Sequence, residues 1–276
     1  MNLIAIFQRY PDHESCIDHL EKVRWGDKPI CPHCGREYVA RKLENNRIGR
    51  WKCHSCHNSY NVLSGTIFQQ TKQPLQEWFL AISLLLNAKK SISSHQLACD
   101  LDINQKTAWL MAYKVREQMG KDSVGMPQGI IEADECYIGG RPRKTRKNIN
   151  GKPNKRGRGT KKQAVIGAVE RGGKVKAEPV KNTTSNTLST FISESIDKIG
   201  SILITDEYKG YRTVQATMSY AVINHQRQYT DGLIHTNTIE GFWSLLKRAW
   251  YGSHHHYKTK YAHRYITEAC YKYNNR

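Results

Sequence analysis

The pairs Cys31-Pro-His-Cys34 and Cys53-His-Ser-Cys56, separated by 18 residues, constrain this chain more tightly than any other feature. Two CxxC turns at that separation have the ligand spacing of a four-cysteine zinc site. Each turn brings two thiolates together, and two turns complete a tetrahedron. The stretch between them, 38–52, mixes apolar and charged residues as short exposed strands do, so the segment reads as a zinc ribbon. His33 and His54 lie inside the pairs and could compete as ligands. Ligation by Cys31, Cys34, Cys53 and Cys56 leaves no open position, which makes the zinc structural. Paired disulfides or redox motifs are the alternatives. Disulfides need an oxidising compartment, and the N-terminal apolar stretch is too short for a signal peptide. Cys16, Cys99, Cys136 and Cys270 lie far apart and read as ordinary buried thiols.

Composition adds a partner. The 276 residues carry 43 Lys+Arg against 24 Asp+Glu, a formal charge of +19. No apolar run reaches the roughly 18–20 residues of a membrane span. A cytoplasmic, nucleoid-associated protein with an anionic partner is expected, and DNA is the obvious one. The charge is uneven: residues 141–162 hold +11, directly after a segment, 129–140, of −3. Such basic runs are usually solvated loops. Here Arg143, Lys144, Arg146, Lys147, Lys155, Arg156 and Arg158 are candidate DNA contacts.

Residues 74–119 have helical periodicity. Pro74 stands at a helix start, and Trp78, Phe79, Ile82, Leu85 and Leu86 recur at helix spacing. Leu97, Ala98 and Leu101 then form one helix, Asp102-Ile103-Asn104 a turn, and 107–115 a second helix. This suits a helix-turn-helix, with Gln105, Lys106 and Trp109 toward a DNA groove or backbone. A plain packed three-helix unit has the same pattern.

The second half carries acids at strand ends. The segment 129–140 reads as a strand, and alternation puts Glu132 and Asp134 on one face with Ile131, Ala133 and Glu135 on the other. Strands at 163–172 and 174–180, a helix at 186–197, a buried strand over 201–206 ending in Asp206, and a short strand at Val222-Ile223 follow. That order is the order of a ribonuclease-H-like α/β core. A later helix with apolar face Ile239, Phe242, Trp243 and Leu246 carries Glu240 and Lys247, two turns apart and pointing the same way. Each acid alone has a plain reading, as a cap or a solvated residue. Together, Asp134, Asp206 and Glu240 suit two divalent cations held by hard oxygen ligands for in-line phosphodiester displacement, with Lys247 near the phosphates.

Nearly end to end, the chain resembles the DDE insertion-sequence transposases of the ISXO type. The resemblance rests on the two CxxC pairs and on SGTIFQQTKQPLQEWFLAI from Ser64, KTAWLMAYKVR from Lys106, EADECYIGG from Glu132, TDEYKGY from Thr205, HTNTIEGFWSLLKR from His235 and the closing run from Tyr251. It implies a ribonuclease-H-like domain, dependence on Mg²⁺ or Mn²⁺, and cleavage and strand transfer at terminal inverted repeats. Asp134 and Asp206 carry over as the first two metal-binding acids. Some members have Asn at the third position, so Asn237 stays beside Glu240 as the third catalytic residue, with Glu240 preferred for its spacing to Lys247. His235 becomes a supporting or phosphate-contacting residue. Three segments are expected: an N-terminal helix and zinc ribbon (1–62), a helix-turn-helix-like unit (63–125) and a ribonuclease-H-like domain (126–276) with basic insertion 141–162. A homodimer or larger assembly on DNA ends is implied. The alternatives are a non-catalytic DNA-binding regulator, which leaves 129–276 without a role, and a structure-selective nuclease that cuts without joining.

Overall fold

The computed structural model describes residues 2–37, 39–41, 49–121, 125–140, 160, 162–223 and 234–276. Almost all of the basic insertion, including its seven candidate DNA contacts, lies outside these residues. The chain forms two compact units: Met1–Ala88 with Ser94–Gln118, and Lys89–Ser93 with Met119–Arg276.

The first unit begins with α1 (Leu3–Arg9) and α2 (His13–Trp25). A reciprocal capping box starts α2: Asp12 accepts from the Ser15 amide at 2.8 Å while Ser15 Oγ accepts from the Asp12 amide. Three antiparallel strands follow, β1 (Val39–Arg41), β2 (Arg50–Cys53) and β3 (Ser59–Asn61). They dock on α2 through Trp51, whose indole N–H donates to Glu21 Oε1 at 2.7 Å. Arg24 adds bonds to the carbonyls of Val62 and Ser64 at 2.6 and 2.7 Å.

Pro74 opens α3 (Leu75–Asn87) as expected, although the buried face runs through Leu75, Trp78, Ala81 and Leu85 and leaves Leu86 exposed. Then come α4 (Ser94–Leu101) and α5 (Gln105–Met119). The turn between them uses Asp102 at φ 51° and Asn104, whose side chain caps the Lys106 amide at 2.9 Å. That cap starts α5 two residues earlier than periodicity alone suggests. Cys99 is exposed and Cys270 half-buried, against the expectation of buried thiols, while Cys16 and Cys136 are buried.

The second unit is a five-stranded sheet between helices. Its strands are β4 (Ile130–Ile138), β5 (Gln163–Glu170), β6 (Val175–Val180), β7 (Ile202–Asp206) and β8 (Ser219–Ile223), in spatial order β6-β5-β4-β7-β8. The first three pair antiparallel; β7 and β8 join parallel to β4. This is the ribonuclease-H-like arrangement. On one face, α6 (Ser185–Ser195) packs Leu188, Phe191 and Ile192 against Ile131, Ala133, Ile166 and Leu203, joined by Tyr211 and by Val214 of α7 (Arg212–Gln215). On the other, α8 (Asn237–Ala249) and α9 (Ala262–Asn274) cover Cys136, Val165, Val169 and Val175. Burial of these branched aliphatics, at roughly 1.5–3 kcal/mol each, fixes which face each strand residue takes. No helix among the described residues is long and apolar enough to cross a membrane.

Candidate metal centres

The four predicted thiols converge. Their ligand atoms all lie within 4.8 Å of one another, with Cys31 Sγ 3.7 Å from Cys56 Sγ and Cys34 Sγ 3.6 Å from Cys53 Sγ. Zinc–sulfur bonds of about 2.3 Å in a tetrahedron require sulfurs about 3.8 Å apart, so the set fits zinc. The backbone amides of Cys56 and Ser55 hold the Cys53 thiol down, while its close thiol neighbours push Cys34 up, so without a cation the cluster does not ionise as a whole. Tyr60, Trp25 and Trp51 pack around the cluster, and His33 and His54 are exposed outside it.

The acids are arranged differently. β4 and β7 pair parallel up to Glu132 opposite Ile204; two residues beyond that pairing, the same alternation puts Asp134 and Asp206 on one sheet face, near enough for the Asp206 charge to act on Asp134. Burial pushes the Asp134 carboxyl up to about 7, with the negative charges of Glu135 and Asp206 adding to the effect. Asp206 Oδ1 meanwhile accepts the Tyr208 amide at 3.0 Å. Glu135 takes the opposite face, where the wholly buried Tyr211 donates its hydroxyl at 3.4 Å. Burial, followed by the charges of Glu135, Asp134 and Asp206, holds that phenol far above its usual range.

Helix α8 supplies the remaining candidates. Asn237, Glu240 and Lys247 are exposed along it, and Glu240 Oε1 accepts from Thr236 Oγ1 at 3.2 Å. Lys247 lies near enough to Cys136 for its charge to oppose the rise that burial imposes on that thiol. Cys136 is two residues beyond Asp134 on the same face, so Lys247 stands along the Asp134 row. Asp134, Asp206 and Glu240 do not all come within 4.8 Å of one another; among the described residues only the four cysteines form such a group. Carboxylates serving two ions about 3.5–4 Å apart need not converge on one point.

Two residues with large consequences here carried no assigned role in the sequence. Glu132 is 0 % exposed and receives Arg171 Nε at 2.6 Å, the Thr238 amide at 2.8 Å, the Thr238 hydroxyl at 2.9 Å and the Ile239 amide at 3.0 Å. His235 Nδ1 stands 3.2 Å from the same carboxylate, and the His235 carbonyl accepts from Arg171 Nη2 at 2.8 Å. Glu132 thereby caps the first turn of α8 and ties it to β4, where its charge also suits the helix dipole. Trp243 is the other: its indole N–H donates to Asp134 Oδ2 at 3.0 Å. The available signal was a charged residue inside a buried strand, which demands a partner. In the first unit, Gln105 donates to Ser94 Oγ at 2.8 Å and so braces α5 against the start of α4, whereas Lys106 is exposed.

A protein of the transposable element ISH50 from Halobacterium salinarum, itself uncharacterised, is 26% identical over 246 residues, which is 85% of this chain and 82% of that one. Among solved structures, a chain of the simian T-cell lymphotropic virus intasome in complex with PP2A regulatory subunit B56 gamma is 14% identical with a TM-score of 0.32. That match covers 64% of this chain and 63% of that one. The Mos1 strand transfer complex is 14% identical with a TM-score of 0.30, covering 75% and 76%. Residues 11–59 match the transposase zinc-ribbon domain, and residues 126–274, more than half of the chain, match the ISXO2-like transposase domain. The chain therefore belongs to the ISXO2-like family of DDE transposases.

Proposed function

We propose that this protein binds the terminal inverted repeats of an insertion sequence and catalyses divalent-metal-dependent cleavage and strand transfer of DNA. The observation that carries the reading is the parallel β4–β7 register, which supports Asp134 and Asp206 as neighbouring ligands on one face. The donors are hard carboxylate oxygens, and Asp134 is buried beside like charges, a cost that a dication would relieve, so the residues fit Mg²⁺ or Mn²⁺. Bound there, a pair of such ions would supply Lewis-acid stabilisation of the attacking and leaving oxygens.

The chain's own residues do the rest. Asp134 and Asp206 hold the cation site, completed from α8 by Glu240, with Asn237 as the alternative. Lys247, on the same helix row, neutralises phosphate beside the scissile bond. Lys106 and Gln105 contact the DNA from the helical unit, with Gln105 acting chiefly through its brace to Ser94. The cysteine ribbon holds a structural zinc. The basic insertion clamps phosphates next to the first acid, making binding steeply salt-dependent. The protein acts as a homodimer or larger assembly, because two element ends must be joined.

The test uses purified protein, inverted-repeat DNA and Mg²⁺. Wild type is expected to nick the end and join it to target DNA. Asp134→Ala and Asp206→Ala should lose both steps by roughly a thousandfold or more, since several kcal/mol of charge stabilisation disappear. Glu240→Ala should lose more than Asn237→Ala. Cleavage of branched DNA without joining, specific binding without any cleavage, or full activity in either Asp variant would overturn the reading.

A further inference from the structure

Trp243 has the burial of a core residue, at 3 % exposed, yet its one polar atom is spent on Asp134. A buried indole N–H needs an acceptor, and a backbone carbonyl would serve. Here the acceptor is a carboxylate that the proposed reaction uses. The seat that permits the contact is equally specific. Gly167 on β5 is the cross-strand partner of Asp134. A Cβ at Gly167 would lie 2.6 Å from Trp243 Cη2 and 2.9 Å from Cζ2, with Ala177 Cβ a further 3.3 Å neighbour. Any side chain at that position would push the indole off the sheet. Glu132 meanwhile holds the first turn of α8, so the helix cannot slide along β4 to restore the contact.

We propose that Trp243, seated over Gly167, is a positioning residue that holds Oδ2 and so fixes the orientation in which the Asp134 carboxylate meets a divalent cation. The proposal rests on the reading of Asp134 as a metal ligand. Hydrogen-bonded partners of metal-binding side chains typically contribute roughly 10–100-fold in metal affinity or activity. Both substitutions that disturb the contact, Trp243→Phe and Gly167→Ala, act on one geometry and therefore should not add.

Two readouts on the full-length, zinc-loaded protein test this. In the protein without added dication, ¹⁵N-labelled indoles give one signal per tryptophan, and there are six. Trp243→Phe identifies the signal of Trp243, and Asp134→Asn should move that signal while leaving the other five. In Mn²⁺ titrations by calorimetry, Trp243→Phe and Gly167→Ala should each weaken binding roughly 10–100-fold. The double variant should be no weaker than Trp243→Phe alone, because phenylalanine lacks the atoms that meet the new Cβ. Phe242→Leu, a neighbouring core change, should lower the melting temperature without shifting Mn²⁺ affinity, which a merely structural role for Trp243 would mimic. Mn²⁺ affinity within twofold of wild type in both Trp243→Phe and Gly167→Ala, or an unmoved indole signal, overturns the proposal and leaves the reading of Asp134 standing. Unchanged Mn²⁺ binding in Asp134→Ala overturns both.

Discussion

The cysteine cluster and the proposed carboxylate site are both candidates to hold cations, but they are assembled by opposite means. The cysteines come from two short turns whose ligands are three residues apart, and a small ribbon suffices to close them. The carboxylates come from two strands separated by a hairpin and a helix, and from a helix further on. Their approach depends on strand register, on Glu132 pinning α8 and on Trp243 reaching across Gly167. The first site is local and closed. The second is assembled over long range, and it leaves Glu240 at the surface. A closed thiolate shell suits a metal that only holds the fold; separated carboxylates suit ions that must also meet a substrate.

The largest expected effect tests that difference directly. Stripping zinc with a chelator, or replacing Cys31 by Ser, should unfold the ribbon, because structural zinc binding in comparable small domains is worth on the order of 10 kcal/mol. The tryptophan signals of Trp25 and Trp51 should report the loss, while hydrogen exchange of β4 and β5 stays protected. Loss of protection in those strands as well would show that the two sites are not independent.

Next in size is Glu132. Its carboxylate is wholly buried against Arg171, whose side chain is 17 % exposed, so Glu132→Gln strands a guanidinium. Urea unfolding should fall by about 3–5 kcal/mol. Arg171→Met added to Glu132→Gln should recover part of the deficit, since removing both partners avoids an uncompensated charge. A change below about 0.5 kcal/mol in the single variant would mean that α8 is held by its apolar face alone.

A third effect, comparable in size, is a pH slope. Without a bound dication, Asp134 keeps its proton to about 7 in the folded state against a usual value of 3.8. Between those values the folded chain binds a proton that the unfolded chain has released, so unfolding free energy falls as pH rises from about 4 to 7. Asp134→Asn should remove this slope, and so should saturating Mn²⁺. Parallel pH profiles for wild type and variant would contradict the crowding of Asp134.

The same contrast explains what the sequence made legible. The ribbon follows from ligand spacing, and the sheet order from the run of apolar strands and the α6 pattern. Alternation correctly divided Asp134 from Glu135 between two faces of β4. What stayed hidden depends on distant partners. Glu132 meets Arg171 across 39 residues and Thr238 across 106, and Trp243 meets Asp134 across 109. Periodicity counts Trp243 as one more apolar residue because it cannot say where the indole N–H goes. Nor does alternation give the parallel pairing of β4 with β7, which brings the strands carrying Asp134 and Asp206 side by side. Gln105 is a related case: its position at the start of α5 suggests DNA, and only the fold reveals Ser94 within reach.

The central claim is that one chain carries two cation sites of different construction, a preformed zinc site and a divalent-cation site across β4, β7 and α8. Metal stoichiometry measures this most directly, with zinc counted by elemental analysis and Mn²⁺ binding followed by electron paramagnetic resonance. Wild type should hold one zinc through extensive dialysis and bind Mn²⁺ reversibly, whereas Asp134→Ala and Asp206→Ala should keep the zinc and lose the Mn²⁺. Mn²⁺ binding that persists in both variants, or zinc that leaves with it, would contradict the account.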